Sequence, residues 1–561
     1  MKKALLIGGG ILIALAIGLF FYLKNRKLTD FNPLIREKLQ SLVLKGSDSL
    51  YRLTFDTLIA DVIDSRLTVT KIVLTPDTTV LQKMRNTGNA PKDIFKVSLD
   101  SLVVDGLNIA DFTSNKNVDL NVLHVRQPSV EVFHAKTPKQ DSADRLKLST
   151  LRIRIAKQMN HLAINKVQIL DMNVQLHTLS NDTVQKTSKF RNVNFLLDDV
   201  LIDSVAAIDS TRFMYSKQAL ISLQDLKFRT KDSLYLIGLD SITINASEKN
   251  VLISNFYIKP NGTNKAFRNK LKFIKERYTG QFKTVELKQI SWWSIASSDY
   301  FRADEVHMNN GSLEVYTDRS LPPFPRSKVG NFPHQLLMKS PFPINLKRLK
   351  VTNFDLSYQE FNPKTDEKGE VSFKDINGTL ENITNDPQLI AQNNIMKLDA
   401  SAKPMGEGKL DAIFKFYLDK AKDGIFSVDA FLHPMDGRAF DKATRPLGMF
   451  GVEKATIKGM DVHVDGTNYN GRGTVVLKYD DLQIAALKQD GDKLKKRGFL
   501  SFIANSFVLI PSNPEKNTPV RKASAYYRRD VHKSFFSIIW KTILIGIMKT
   551  VGFDSGVKKV K

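Results

Sequence analysis

The side chains able to do chemistry are scattered along this chain. Nine histidines occur, at His124, His134, His161, His177, His307, His334, His433, His463 and His532. No two are spaced i, i+4, and no HExxH occurs, so no helical zinc site is expected. Cysteine is absent, which removes thiolate ligands, a thiol nucleophile and a disulfide framework. Neither a Walker A loop nor a GxSxG elbow is present. Gly8-Gly9-Gly10 sits inside an apolar run and cannot cradle a phosphate. Asp77, Asp198-Asp199 and Asp480-Asp481 fall near strand ends, where carboxylates close turns. No catalytic residue, metal ligand or cofactor is expected, and the chain is read as non-enzymatic.

Charge says more about partners. With 83 Lys+Arg against 58 Asp+Glu, the 561 residues carry +25. Such a surplus points to an anionic partner, nucleic acid or phospholipid. The basic clusters Lys493, Lys495, Lys496, Arg497 and Arg528, Arg529 come with no recognition helix or aromatic RNA-binding strand, so nucleic acid is not expected. Both chain ends favour lipid.

Ala4 to Leu23 contains no charged residue. At about 1.5 Å per residue it would span about 30 Å, the hydrocarbon core of a bilayer. Leu5, Leu6, Ile11, Leu12, Leu15, Leu19, Phe20 and Phe21 would face lipid. Ala14-Leu15-Ala16 resembles a cleavage box, but the apolar run continues past it, which favours an uncleaved anchor over a signal peptide. Phe535 to Met548 is apolar except for Lys541 and is too short to span comfortably. As an amphipathic helix it would put Phe535, Phe536, Ile539, Trp540, Ile543 and Leu544 against a membrane interface, its basic flanks near phosphates. The alternative is a helix docked on the protein's own core.

The elements between must be strands. Leu162-x-Ile164, Val167-x-Ile169 and Met172-x-Val174 alternate with period two. Phe301-x-Ala303, Val306-x-Met308 and Leu313-x-Val315 repeat the pattern, as do Ile344-x-Leu346, Leu349-x-Val351 and Phe354-x-Leu356. Each unit runs apolar-x-apolar, two residues, apolar-x-apolar, a short turn, then apolar-x-apolar; the two-residue step breaks strict alternation, and a bulge or bend there would return the next apolar pair to the same face. The expectation is a mainly β fold, a long antiparallel repetitive sheet of roughly twenty-five strands. Its apolar face either closes into a dry sandwich or curls into an elongated groove. Groove lining would come from Leu162, Ile164, Val167, Ile169, Val306, Met308, Leu313, Val315, Ile344, Leu346, Leu349 and Val351.

Five spans organise the chain: an anchor (1–27), a helix with first strands (28–80), a repeated strand body (81–435), a β region (436–520) and a basic tail (521–561). Pro322, Pro323, Pro325, Pro333, Pro341 and Pro343 mark an irregular loop.

Three stretches now resemble the AsmA-like family of bacterial envelope proteins, which includes TamB-type proteins. They are Gly46-Ser47-Asp48-Ser49-Leu50-Tyr51 leading to Leu67-x-Val69-x-x-Ile72-x-Leu74-x-Pro76-Asp77, the repeated strand units, and Ile457 to Leu487 followed by Lys533-Ser534-Phe535-Phe536 and Trp540-Lys541. The pattern is most similar to shorter, Bacteroidota-type members. The resemblance implies a single-pass inner-membrane anchor, a periplasmic body and a β-groove that carries phospholipid between inner and outer membranes. It also leaves open a scaffold or outer-membrane protein assembly role. The family offers no catalytic set.

Overall fold

The computed structural model describes residues 32–61, 64–106, 117–135, 161–180, 183–203, 206, 209, 211–213, 215–448, 450–490, 493–496 and 509–552. The expected anchor, with Leu5, Leu6, Ile11, Leu12, Leu15, Leu19, Phe20 and Phe21, lies outside the described residues. Among the described residues no helix is long and apolar enough to cross a membrane.

The protein is mainly β, with 23 strands among the described residues. It divides into two compact units, Met1–Phe228 with Gly238–Ile253, and Arg229–Ile237 with Ser254–Lys561. The division falls inside the span 81–435 that was expected as one body.

The first unit begins with helix α1 (Asn32–Gly46), β1 (Tyr51–Thr54), β2 (Leu58–Asp61) and β3 (Arg66–Pro76). Arg36 of α1 lies 4.6 Å over the Phe55 ring and donates to the Phe55 carbonyl at 2.6 Å, fixing the helix on the β1–β2 turn. Asp77 caps α2 (Thr78–Asn86) by accepting from the Thr79 and Val80 N–H groups. Then follow β4 (Asp93–Asp105), β5 (Asn117–Arg126), β6 (Ser129–Ala135), β7 (His161–Ser180), β8 (Thr183–Ile202) and β9 (Ser216–Arg229). β10 (Tyr235–Asn245) and β11 (Asn250–Pro260) are shared between the units. One apolar cluster runs from Leu39 of α1 through β1–β9 to Leu239.

The second unit contains α3 (Asn264–Arg268), β12 (Arg277–Lys288), α4 (Trp292–Ser298), β13 (Phe301–Asp318), α5 (Pro333–Met338), β14 (Ile344–Asn362) and β15 (Glu367–Thr384). It continues through α6 (Pro387–Gln392), β16 (Ile395–Pro404), β17 (Leu410–Tyr417), β18 (Phe426–Leu432), β19 (Met435–Asp436) and α7 (Asp441–Gly448). It ends with β20 (Phe450–Gly466), β21 (Asn470–Asp490), β22 (Lys493–Lys496), β23 (Ala523–Arg528) and α8 (Phe535–Thr550). The proline-crowded stretch is therefore not all loop: Pro333 opens α5, where its missing N–H costs nothing.

The sheet is mixed, which corrects the antiparallel expectation. β7 pairs parallel with β5 and β6, and β14 pairs parallel with β13. In both places the repeat copies lie like against like: Leu120 beside Ile164 and Leu123 beside Val167, Val306 beside Leu349 and Met308 beside Val351. A parallel pair needs a long crossover, and residues 319–343 supply it between β13 and β14.

The bulges fall at the short turn after the second apolar pair and not at the two-residue step before it, across which the register of β7 with β8 and of β14 with β15 is unbroken. Asp171, Asn192, Asn310, Asn353 and Asp375 all take positive φ, between 50° and 56°. Register slips beside Asp171 between β7 and β8, and beside Asn353 between β14 and β15. Asn and Asp tolerate this backbone because their short polar side chains bond locally. The Asp171 N–H donates to Asn194 Oδ1 at 2.8 Å, and the Asn353 N–H to Asn377 Oδ1 at 3.1 Å. Bulge stacks on bulge, so neighbouring strands bend together and their apolar residues stay on one face.

Candidate functional site

Register places apolar side chains of the second unit in rows. Leu287, Val306, Leu349, Leu380 and Leu398 stand opposite one another across β12–β16, and Phe414 and Val428 continue the row. Val285, Met308, Val351, Gly378 and Ala400 form the next row. Leu313, Leu356 and Phe373 form a third. Gly311 lies between Phe282 and Phe354 in register, and a Cβ there would meet the Phe282 ring at 2.4 Å. The glycine lets Phe282 reach across and stack on Phe354, centroids 5.3 Å apart and planes 10° apart.

The opposite face is charged. Lys347 pairs with Asp304 at 2.8 Å, Lys374 with Asp355 at 2.8 Å and Lys403 with Asp375 at 2.6 Å. This face is satisfied in water, whereas the apolar rows from β12 to β16 are half-buried, Val285 alone of the named residues being buried.

The rows are sealed only further along. α8 lies on β21 and β23 at close range: a Cβ on Gly471 would meet Thr542 at 2.4 Å, and one on Gly546 would meet Val475 at 2.4 Å. Phe535 fills an aromatic knot, 5.0 Å from Phe332, 4.8 Å from Phe426 and 5.7 Å from Phe416. Arg529 stacks 4.6 Å over Phe332 and donates to the carbonyls of Asn468 at 3.0 Å, Lys328 at 3.3 Å and Lys533 at 3.0 Å. Gln335 donates to the Ala421 carbonyl at 2.8 Å and to Asn468 Oδ1 at 3.0 Å. Beside them His334 is fully buried, and neither ring nitrogen has a hydrogen-bond partner among the described residues. Burial pushes its pKa down to about 4, so it is neutral at neutral pH.

The expected lining residues divide between the units. In the first, Leu162 and Ile164 are 0% and 1% exposed; Val167 is buried with them and Ile169 packs against the same cluster. In the second, Val306, Met308, Leu313, Val315, Ile344, Leu349 and Val351 are half-buried, and Leu346 is buried. The tail needs correction. Phe535 and Ile539 face the protein's own core, and Ile543 packs on it, because one helix face is complementary to the glycine-lined strands. Phe536 and Trp540 do stand outward, 63% and 49% exposed, and Leu544 is half-buried. Phe332, Gln335 and Asn468 escaped sequence reading, and Arg529, expected in a surface basic cluster, is buried over Phe332 instead. Pro333 after an aromatic was a helix-start signal, but nothing local distinguishes Arg529 from Arg528.

Among the described residues no three His, Asp or Glu side chains are grouped to hold a metal ion. No protein-family model and no curated protein matches this chain.

Proposed function

We propose that this is an AsmA-like envelope protein, anchored in a bacterial inner membrane by Ala4 to Leu23, whose periplasmic body carries phospholipid towards the outer membrane. The observation that supports it is the half-open apolar face of β12–β16. Five strands at about 4.8 Å spacing make a track of about 19 Å. An acyl chain reaching half the hydrocarbon core needs about 15 Å. Two chains of ~15 methylenes each cost roughly 24 kcal/mol to expose to water, at about 0.8 kcal/mol per methylene. An apolar track removes that cost without selecting one lipid, which suits rows that repeat hydrophobicity and not identity. The charged reverse face stays wet, and headgroups remain in water along the open side.

The test is lipid extraction from gently purified protein, followed by mass spectrometry, with a photo-crosslinker at Val351 and another at Lys347. Phospholipid captured at Val351 and absent at Lys347 is expected. Equal capture at both, or none at either with no lipid extracted, would replace the carrier with an envelope scaffold.

A further inference from the structure

We infer that loops 261–276 and 319–331, together with the first turns of α8, form a docking surface for an anionic phospholipid bilayer. The inference does not rest on the acyl-chain track: a scaffold could dock in the same way.

Phe273 and Phe324 are both exposed, their rings edge to face at 6.1 Å and 88°. They are held from below. The Ile274 N–H donates to the Pro322 carbonyl at 2.8 Å, tying one loop to the other. Phe267 of α3 is buried against Leu234 and Tyr235, with Leu271 packed beside it. Pro322, Pro323 and Pro325 are exposed around them.

The cations nearby fall into two groups. Lys275 is matched by Asp232 at 3.1 Å, Lys328 by Glu276 at 2.6 Å and Arg268 by Asp318 at 3.6 Å. Lys265, Lys270, Lys272 and Arg326 are exposed and meet no carboxylate among the described residues. Loop 319–331 then runs into the start of α8. The Lys328 N–H donates to the Val531 carbonyl at 2.7 Å, and the His532 ring meets the Arg326 carbonyl at 3.2 Å. Exposed Lys533, Phe536 and Trp540 follow. Phe273 and Phe324, these unmatched cations, and Phe536 and Trp540 are thus carried on hydrogen-bonded segments of the second unit.

Phenylalanine tips entering the acyl boundary, with lysines at phosphate level, are the chemistry of interfacial binding. A nucleic-acid platform would present parallel ring faces on which successive bases stack, but Phe273 and Phe324 stand at 88° to each other and offer no such shared plane. The surface therefore selects a lipid bilayer.

Full-length protein held in amphipol and immobilised through an N-terminal tag should retain fluorescent phosphatidylcholine vesicles that contain phosphatidylglycerol. Lys270→Gln, Lys272→Gln and Arg326→Gln together should reduce retention, by roughly fivefold per cation at low salt, and added salt should shrink the difference. Phe273→Ser with Phe324→Ser should reduce retention of pure phosphatidylcholine vesicles as well. All five side chains are exposed, so thermal unfolding should match the parent. Lys347→Gln, Lys374→Gln and Lys403→Gln, on the ion-paired face, should retain vesicles like the parent. Equal loss in that control triple would reduce the effect to net charge and overturn the proposal. So would a parent chain that ignores anionic vesicles but retains a fluorescent single-stranded oligonucleotide.

Discussion

The first unit buries most of its strand repeat, Leu162, Ile164, Val167, Met172 and Val174 among them, whereas the second leaves most of the same repeat only half-buried. Val167 on β7 and Leu349 on β14 occupy equivalent places, each beside its like in a parallel neighbour, Leu123 or Val306. Val167 is buried inside one cluster that includes Leu39, Leu123 and Val200. Leu349 is only half-buried. The bulges are also equivalent, with Asp171 and Asn353 both at φ 56°. The repeat therefore does not decide whether its face is dry. What decides is whether another element lies over it, as α8 and α5 do for β17–β21.

The comparison breaks most sharply on a buried charge. Ile164→Asp places a carboxylate with no partner in a dry core and should cost about 4 kcal/mol or more. Val351→Asp, on the half-open face, should cost about 1 kcal/mol, because water reaches the carboxylate. Urea unfolding of the two variants measures the difference, and equal losses would show that the second face is closed too.

Acid should act on the sealed end next. The folded His334 pKa, about 4, lies below the ordinary 6.5. The unfolded chain therefore binds the proton first, so stability is full above about pH 6.5 and falls as pH drops towards 4. The loss approaches ~3 kcal/mol. His334→Phe should remove this dependence, read as the change in melting temperature between pH 7 and pH 5. A wild type whose acid sensitivity equals the variant's would exclude His334 as its source.

A third test asks whether the bulges are as equivalent as their angles. Asp171→Val and Asn353→Val each force a β-branched residue into positive φ and should cost about 1–2 kcal/mol apiece. A large cost in one unit alone would mean that the bulge serves different purposes in the two.

The smallest expected effect sharpens the tail. Phe536→Ser with Trp540→Ser should change stability by less than ~0.5 kcal/mol, since both side chains are exposed, while vesicle retention falls. If that pair unfolds the second unit, the outer face of α8 is structural.

Much of this is legible in the amino-acid sequence. Period-two alternation marks the strands of β7, β13 and β14, but their bulges lie at the short turn after the second apolar pair and not at the two-residue step where one was expected. The helix at Phe535 to Thr550 was legible as an apolar run with basic flanks. The parallel pairings were missed, although a long proline-rich segment between two similar strand copies is what a crossover requires. The face of α8 was half legible: Phe536 and Trp540 are outward as expected, but Phe535 and Ile539 are not.

Alternation is a local property. Successive side chains of a strand point to opposite sides whatever lies elsewhere, so neighbouring residues alone settle which of them share a face. Coverage is not local. Arg529 reaches the Lys328 carbonyl across 201 residues of chain, and Gln335 reaches Asn468 across 133. Those contacts seat α5 and α8, and thereby seal one end of a face whose other strands stay open. No short window contains both partners of such a contact, so only the folded chain could decide where the apolar rows are covered and where they meet water.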